Sequence, residues 1–434
     1  MISGILRATD SPMLANDMTM TAAGAPRALT MMVWPSVAAW RMSGRVWLDR
    51  KYVDGMREYA KRWPGAVRAL MHVEDVASLP PFGVVDAQSP DVPFALGLLE
   101  NGQTLTPAHL GGVDLLLASA DDFRQLRAAE TCQETGTVCA YVIEYTLRTR
   151  LDMGRHSGGN FLQRLKTTIW HLRNEFNILR AVKRSDGVQA NGLPAFTAYS
   201  SRAKSAQLYC DTRLRRDDLI SADALELRLD RLKRGEPLRI AFSGRLVEIK
   251  GADALVPLAV RLRQLGVDFS LHVFGAGALV PAMTEQIAAQ GLDGVVVMAG
   301  AVDFDSVLVP ALKEGFDLFV CCHRQGDPSC TYAETFGCGV PMVGFANESL
   351  AAMVERHQVG WCVPMDDGAG LARLVAQLAA DREEIARKSR NALRFASENH
   401  FEAVFEARVA HCVRLATASR RRSEDEPLAQ HAYQ

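Results

Sequence analysis

The sequence predicts an α/β protein built from two facing doubly wound domains with a cleft between them. Three observations predict this. The chain has 434 residues, enough for two or three domains. Short apolar runs of strand length alternate with helical stretches in both halves. A polar helical segment, SADALELRLDRLKRGEP, ends in Gly235 and Pro237 and divides the halves. The expected layout is a flexible extension over 1–26, a first domain over 27–236, a second over 237–416, and a disordered tail over 417–434.

In the first half, RALTMMVW reads as a buried strand, followed by a loop through Pro35 to Gly44. VWLDRKYVDGMREYAKRW has Val46, Tyr52, Val53, Met56, Tyr59, Ala60 and Trp63 at helical spacing. AVRALMHV, FGVVDA, VDLLLAS and TVCAYVIEY read as further strands. An amphipathic helix follows, with Leu162, Leu165, Ile169, Leu172, Phe176, Leu179 and Val182 recurring every three or four residues. SDGVQANG and SAQLYCDTRL close this half. In the second half, LRIAFSG, DFSLHVFG, GVVVMAG, FDLFVCC and PMVGF read as strands, with ADALVPLAVRLRQLG a helix after the first. From Arg382 to Leu415 only helix is expected.

Composition narrows the function. Hydrophobic residues make up 48%, so whole-chain disorder is excluded. The net charge of −1 argues against a dedicated nucleic-acid binder. It conceals an asymmetry: +5 over residues 1–215 and −6 over the rest. Nine cysteines with no CxxC pair suggest reduced, cytosolic usage rather than a disulfide scaffold or zinc site. The N-terminus reads poorly as a signal peptide, and no run of 18 apolar residues suggests a spanning helix.

Three stretches of the second half would line a cleft at the carboxyl ends of the strands. In SGRLVEIKGAD, Gly244 allows a tight exit from the strand, and Arg245 and Lys250 could neutralise a diphosphate. Solvated loop charges are the bland alternative. In VFGAGA, Gly275 and Gly277 form a lone G-x-G, which reads better as close backbone approach than as a dinucleotide fingerprint. In RQGDPSCTYAETFGCGVPMVGF, turn formers precede a helix starting near Thr331. Its first amides offer an anion site. Glu334, one turn in, could hold two ribose hydroxyls or simply complement the helix dipole.

Together, in this order and spacing, these stretches resemble the retaining glycosyltransferases of family 4, which have the GT-B fold. GRLVEIKG is similar to that family's G-R-L-x-x-x-K-G, and the third stretch to its E-x7-E motif followed by G-x-P. The resemblance covers about 238–378 well and the first domain only in architecture. It implies that Arg245 and Lys250 bind the donor diphosphate, that Gly275 and Gly277 lie beside the nucleotide, and that Glu334 grips the ribose. It also implies a donor-side role for Ser329, Cys330 and Thr331, and for Gly44 if the Ser43–Gly44 loop approaches the donor phosphate. No cofactor or metal is expected; a nucleotide-diphosphate sugar is the donor substrate. The expected acceptor is a glycan or lipid-linked molecule in bacterial surface or exopolysaccharide assembly.

The chain departs from the family twice. The first Glu of the motif falls on Gly326, and an acid stands one residue on, at Asp327. Asp327 could support the developing sugar cation, or the amides of Ser329 to Thr331 could take over. Where the family often has a histidine after a first-domain strand, this chain has Glu144 and Tyr145. Glu144 reads either as a hydrogen-bond acceptor for a substrate or as a strand-end charge. His72 reads as a satisfied structural histidine, Asn191–Pro194 as a segment that could face the cleft, and the DFD of Asp303–Asp305 as a helix cap rather than a metal motif. Cys321, Cys322 and His323 lack a second cluster to complete a zinc site.

From 147 to 184 nine basic residues stand against Asp152 and Glu175. This stretch reads either as a solvated face or as a contact with anionic lipid, which would put a cytoplasmic protein at the inner face of the membrane. The alternatives to transfer are a catalytically silent GT-B scaffold, supported by Gly326, and a nucleotide-sugar epimerase or phosphorylase. An NAD-linked dehydrogenase does not fit the glycine pattern.

Overall fold

The structure is a computed structural model that describes residues 28–80, 83–156 and 160–431. The expected extension over 1–26 lies outside the described residues. Two sheets are present, one in each half of the chain.

The first sheet has ten strands: β1 (Leu29–Val33), β2 (Ala39–Met42), β3 (Arg45–Asp49), β4 (Gly65–Asp75), β5 (Val84–Asp86), β6 (Ala95–Leu99), β7 (Leu115–Ser119), β8 (Val138–Ile143), β9 (Gly187–Asn191) and β10 (Ala206–Tyr209). Their order is β10-β9-β8-β7-β1-β4-β2-β3-β5, with β6 also on β4. All pairings are parallel except β2–β3 and β3–β5. β1 is covered on both faces, Met32 packing on one side and Leu29, Met31 and Val33 on the other, which fits its mostly apolar run.

The loop expected over 35–44 contains β2, and Val46, expected on a helix, lies on β3. The reason is local. Ser43 and Gly44 both take positive φ, 51° and 78°, which turns β2 into β3 as a tight hairpin. The helix begins only at Arg50, where the Asp49 carboxylate accepts from the Tyr52 amide at 3.0 Å.

The second sheet has β11 (Leu238–Ser243), β12 (Phe269–Phe274), β13 (Val296–Gly300), β14 (Leu318–Cys321), β15 (Met342–Phe345) and β16 (Gly360–Val363). Its order is β13-β12-β11-β14-β15-β16, all parallel. The order reverses between β11 and β14, so the ligand crevice opens at their carboxyl ends. Every strand read in this half is present; β16 was not foreseen.

Two segments depart from the expected layout. The last helix, Phe401–His431, returns to the first sheet rather than staying with the second domain. Phe401, Phe405, Val409, Cys412 and Ala416 are buried with Met31, Met56 and Tyr59. Gly55 makes room for this, since a Cβ there would lie 2.9 Å from the Phe405 ring. The same helix continues to His431, through most of the span expected to be a disordered tail. The helix Phe161–Arg184 buries only Asn174, Ile178, Ala181 and Val182. Most of its foreseen apolar stripe, Leu162 to Phe176, is exposed.

Candidate active site

The second-domain wall is built by backbone approach. A Cβ on Gly275 would lie 1.9 Å from the Gly244 carbonyl oxygen, and one on Gly277 2.3 Å from that of Leu246. The loops after β11 and β12 thus run backbone against backbone, and only glycine fits. Gly251 takes φ of 70°, and a Cβ there would meet the Cys322 oxygen at 2.0 Å. This seats Lys250 against the end of β14.

Lys250 is buried, and its Nζ stands 3.2 Å from Asp327 Oδ2. Asp327 Oδ1 has no hydrogen-bond partner among the described residues. Arg245 is exposed at the mouth of the crevice. Neighbouring His323 is buried with both ring nitrogens unpartnered among the described residues. Burial, reinforced by Lys250, pushes its pKa down to about 3, so the ring is neutral at ordinary pH.

The displaced acid has a steric cause. A Cβ on Gly326 would lie 2.9 Å from Glu348 Cβ and 3.0 Å from Thr149 Oγ1. Glu348 is held there by Thr146 and Thr149, whose hydroxyls donate across the domain interface at 2.6 and 3.1 Å. No larger side chain fits at 326, and Asp327 is the next position that can present a carboxylate.

Ser329 precedes the helix Cys330–Gly337. The Ser329 amide donates to the Asp327 main-chain carbonyl at 2.8 Å, so it is already engaged. The amides of Cys330 and Thr331 belong to the first turn, where no intrahelical acceptor exists. Cys330 Sγ lies 2.8 Å from Lys51 Nζ of the first domain, and Lys51 also pairs with Asp211 at 2.6 Å. Burial works against the Asp211 charge, but Lys51 holds its pKa below the usual range.

Glu334 is buried one turn into this helix, and both carboxylate oxygens accept from Arg213, at 2.8 and 3.2 Å. The Arg213 guanidinium lies 3.8 Å over the Phe304 ring. Arg213 sits in the segment between the domains and carried no motif by which it could be foreseen. It and Phe304 line a cavity of about 680 Å³ that also touches Lys51, Ser243 and Val302.

The first-domain wall is a second cavity, about 400 Å³, at the carboxyl ends of β1, β7, β8 and β10. It is lined by Trp34, Tyr52, Asp121, Glu144, Asp211 and Arg408 among others. Glu144 accepts from Asn191 Nδ2 at 3.3 Å; burial first, and then the Asp211 charge, raises its pKa. Asp121 accepts from the amides of Glu144 and Tyr145, at 2.7 and 3.2 Å. Burial and the Glu144 charge push it up to about 7. Sequence reasoning missed Lys51, Asp121 and Asp211, which gain meaning only from their neighbours.

Gly44 occupies the exposed β2–β3 turn, while the loop that follows β1 and lines the cavity is Trp34–Val37. His72 is buried beside Trp34, but its Nε2 lacks a partner among the described residues, so it is structural without being satisfied. Asn191–Pro194 does face the cleft: a Cβ on Gly192 would meet Pro328 Cβ at 2.9 Å. Asp303 caps the helical turn after it, accepting from the Ser306 amide at 2.9 Å.

Residues 237–381 match the family model described as glycosyl transferases group 1. A protein of Escherichia coli (strain K12), provisionally named a colanic acid biosynthesis glycosyltransferase, WcaL, is 29% identical over 157 residues. That match spans 35% of this chain and 38% of the relative. The amylovoran biosynthesis glycosyltransferase AmsK of Erwinia amylovora is 24% identical over 160 residues, 35% of this chain and 38% of its own length. Among solved structures, Anabaena Alr3699/HepE in complex with UDP superposes with a TM-score of 0.63 at 15% identity, covering 89% of this chain and 99% of that one. WaaG, a glycosyltransferase involved in lipopolysaccharide biosynthesis, gives 0.53 at 13% identity, covering 88% and 99%. The chain has the GT-B fold.

Proposed function

We propose that this chain is a retaining glycosyltransferase. It moves a sugar from a nucleotide-diphosphate donor to a glycan or lipid-linked acceptor in the assembly of a bacterial surface or exopolysaccharide. The observation that carries the reading is the buried Lys250 at the β11–β14 reversal, its ammonium beside Asp327. The names of the partial relatives and of WaaG support the polysaccharide setting.

In this reading the donor diphosphate takes up Lys250 and Arg245, and Asp327, released from Lys250, faces the sugar. The bond from the anomeric carbon to the phosphate oxygen breaks, and the acceptor oxygen bonds that carbon on the same face. The acceptor proton passes to the departing phosphate oxygen. Fixed cations in a closed cleft stabilise the developing charge without reorganisation. The reading needs no metal. Gly244, Gly275 and Gly277 let backbone approach the nucleotide, and the amides of Cys330 and Thr331 face its phosphates. Glu334 exchanges Arg213 for the ribose. Glu144 and Asp121 line the acceptor side. The protein acts from the cytoplasm.

A silent scaffold is the second reading, favoured because Glu334 and Asp327 are both engaged by cations and Gly326 leaves no room for the motif's first acid. Incubation of purified protein with UDP-, GDP- and ADP-sugars, followed by nucleoside-diphosphate release and product anomer by NMR, separates them. Turnover with a retained anomer supports transfer. Nucleotide binding by thermal shift with no turnover of any donor supports the scaffold.

A further inference from the structure

The helix Phe161–Arg184 has two opposed apolar faces. Ile178, Ala181 and Val182 anchor one face in the first-domain core. On the other, Phe161, Leu162, Leu165, Ile169, Leu172 and Phe176 are exposed, Phe161 at 77% and Phe176 at 68%. At about 100° per residue, these six fall within an arc of about 100°, roughly opposite the buried face. Over 15 residues of rise, the stripe runs about 22 Å. Isolated exposed apolar residues need no explanation, but a continuous stripe of six does.

The surroundings say what covers it. The helix carries six cations and one acid, and that acid, Glu175, turns inward to Arg150 and Tyr199. Arg150, buried in that network, is structural, and Arg180 and Arg184 pair with Glu130. Of the other four, all exposed and without an ion pair among the described residues, Lys166 and Arg173 lie along one edge of the stripe, Arg164 along the other, and Lys183 beyond its end. The helix start is self-capped, Asn160 and Gln163 bonding each other's amides. An antiparallel second copy docked by a two-fold axis across the stripe would bring Lys166 and Arg173 of both copies to the same side of the interface. Among the described residues no helix is long and apolar enough to cross a membrane.

We infer that this stripe lies in the plane of an anionic bilayer, with the six apolar side chains sunk between acyl chains and Lys166 and Arg173 at the headgroups. This goes beyond the basic contact foreseen for 147–184, because apolar insertion carries the binding and the charges add to it. It does not depend on the sugar-transfer reading.

The test is flotation of the full-length chain, without nucleotide, on vesicles of phosphatidylcholine with phosphatidylglycerol and on phosphatidylcholine alone. The chain should float with the anionic vesicles. Leu165→Ser/Ile169→Ser/Leu172→Ser should retain the wild-type thermal midpoint, since all three side chains are exposed, and lose about a hundredfold in partitioning. Lys166→Glu/Arg173→Glu should weaken binding to the anionic vesicles. Three results would each overturn the inference: no flotation on anionic vesicles, flotation undiminished in the triple variant, or concentration-dependent self-association through the stripe in place of vesicle binding. Nucleotide-induced thermal shift on the same samples reports separately on the donor site.

Discussion

Lys250→Met tests the proposed chemistry most directly. Lys250 and Asp327 are 11% and 15% exposed at the side chain and 3.2 Å apart. At an effective dielectric of about 20, that separation corresponds to a gross attraction of about 5 kcal/mol. Desolvation of both groups offsets about half, so removing the ammonium should cost about 2–3 kcal/mol of stability, much of it from stranding Asp327. The effect on catalysis should be larger. Losing one preorganised charge at the departing diphosphate costs about 100- to 1,000-fold in kcat. The two effects separate in the double variant Lys250→Met/Asp327→Asn, which removes the stranded charge. Urea unfolding should show stability recovered there, while nucleoside-diphosphate release stays low. Near-normal turnover in Lys250→Met would refute the mechanism, and recovery of turnover in the double variant would reduce Lys250 to a structural ion pair.

Three further outcomes are expected. Glu334→Gln should raise the donor dissociation constant at least about tenfold, read by calorimetry, because a charged acceptor is lost to the ribose. Gly326→Glu, although it restores the family motif, should lower the thermal midpoint and turnover together, because its side chain would collide with Glu348 and Thr149. For Asp121, the folded carboxyl titrates at about 7 against 3.8 for the ordinary group. The folded state therefore holds its proton longer than the unfolded state, and stability falls as pH rises across that window and levels off above it. Asp121→Asn should flatten this part of the stability–pH profile, measured by urea unfolding at a series of pH values.

Much of the candidate site was legible because its parts are short and local. Lys250, Asp327 and Glu334 stand at ends of strands and starts of helices that apolar periodicity reveals. The hairpin at Ser43–Gly44 reads as plain loop in the sequence, because turn residues alone do not show that β2 pairs with β3. The helix Phe161–Arg184 was read correctly as amphipathic, yet its longer stripe faces outward. Periodicity shows that a helix has an apolar face, but not which of two faces its neighbours cover.

Local pattern alone shows strands alternating with helices in both halves, five of the six strands of the second sheet, and the candidate residues at their carboxyl ends. These follow from spacings of two to four residues and from glycine where backbone must approach. Docking of distant elements sets the rest: Arg213 holds Glu334, Lys51 reaches Asp211 and Cys330, Gly326 has no space beside it, and the last helix packs into the first-domain core. Arg213 and Glu334 are 121 positions apart, and Lys51 and Cys330 are 279 apart. Contacts at such separations depend on how whole elements dock, and no local pattern of charge or hydropathy encodes that.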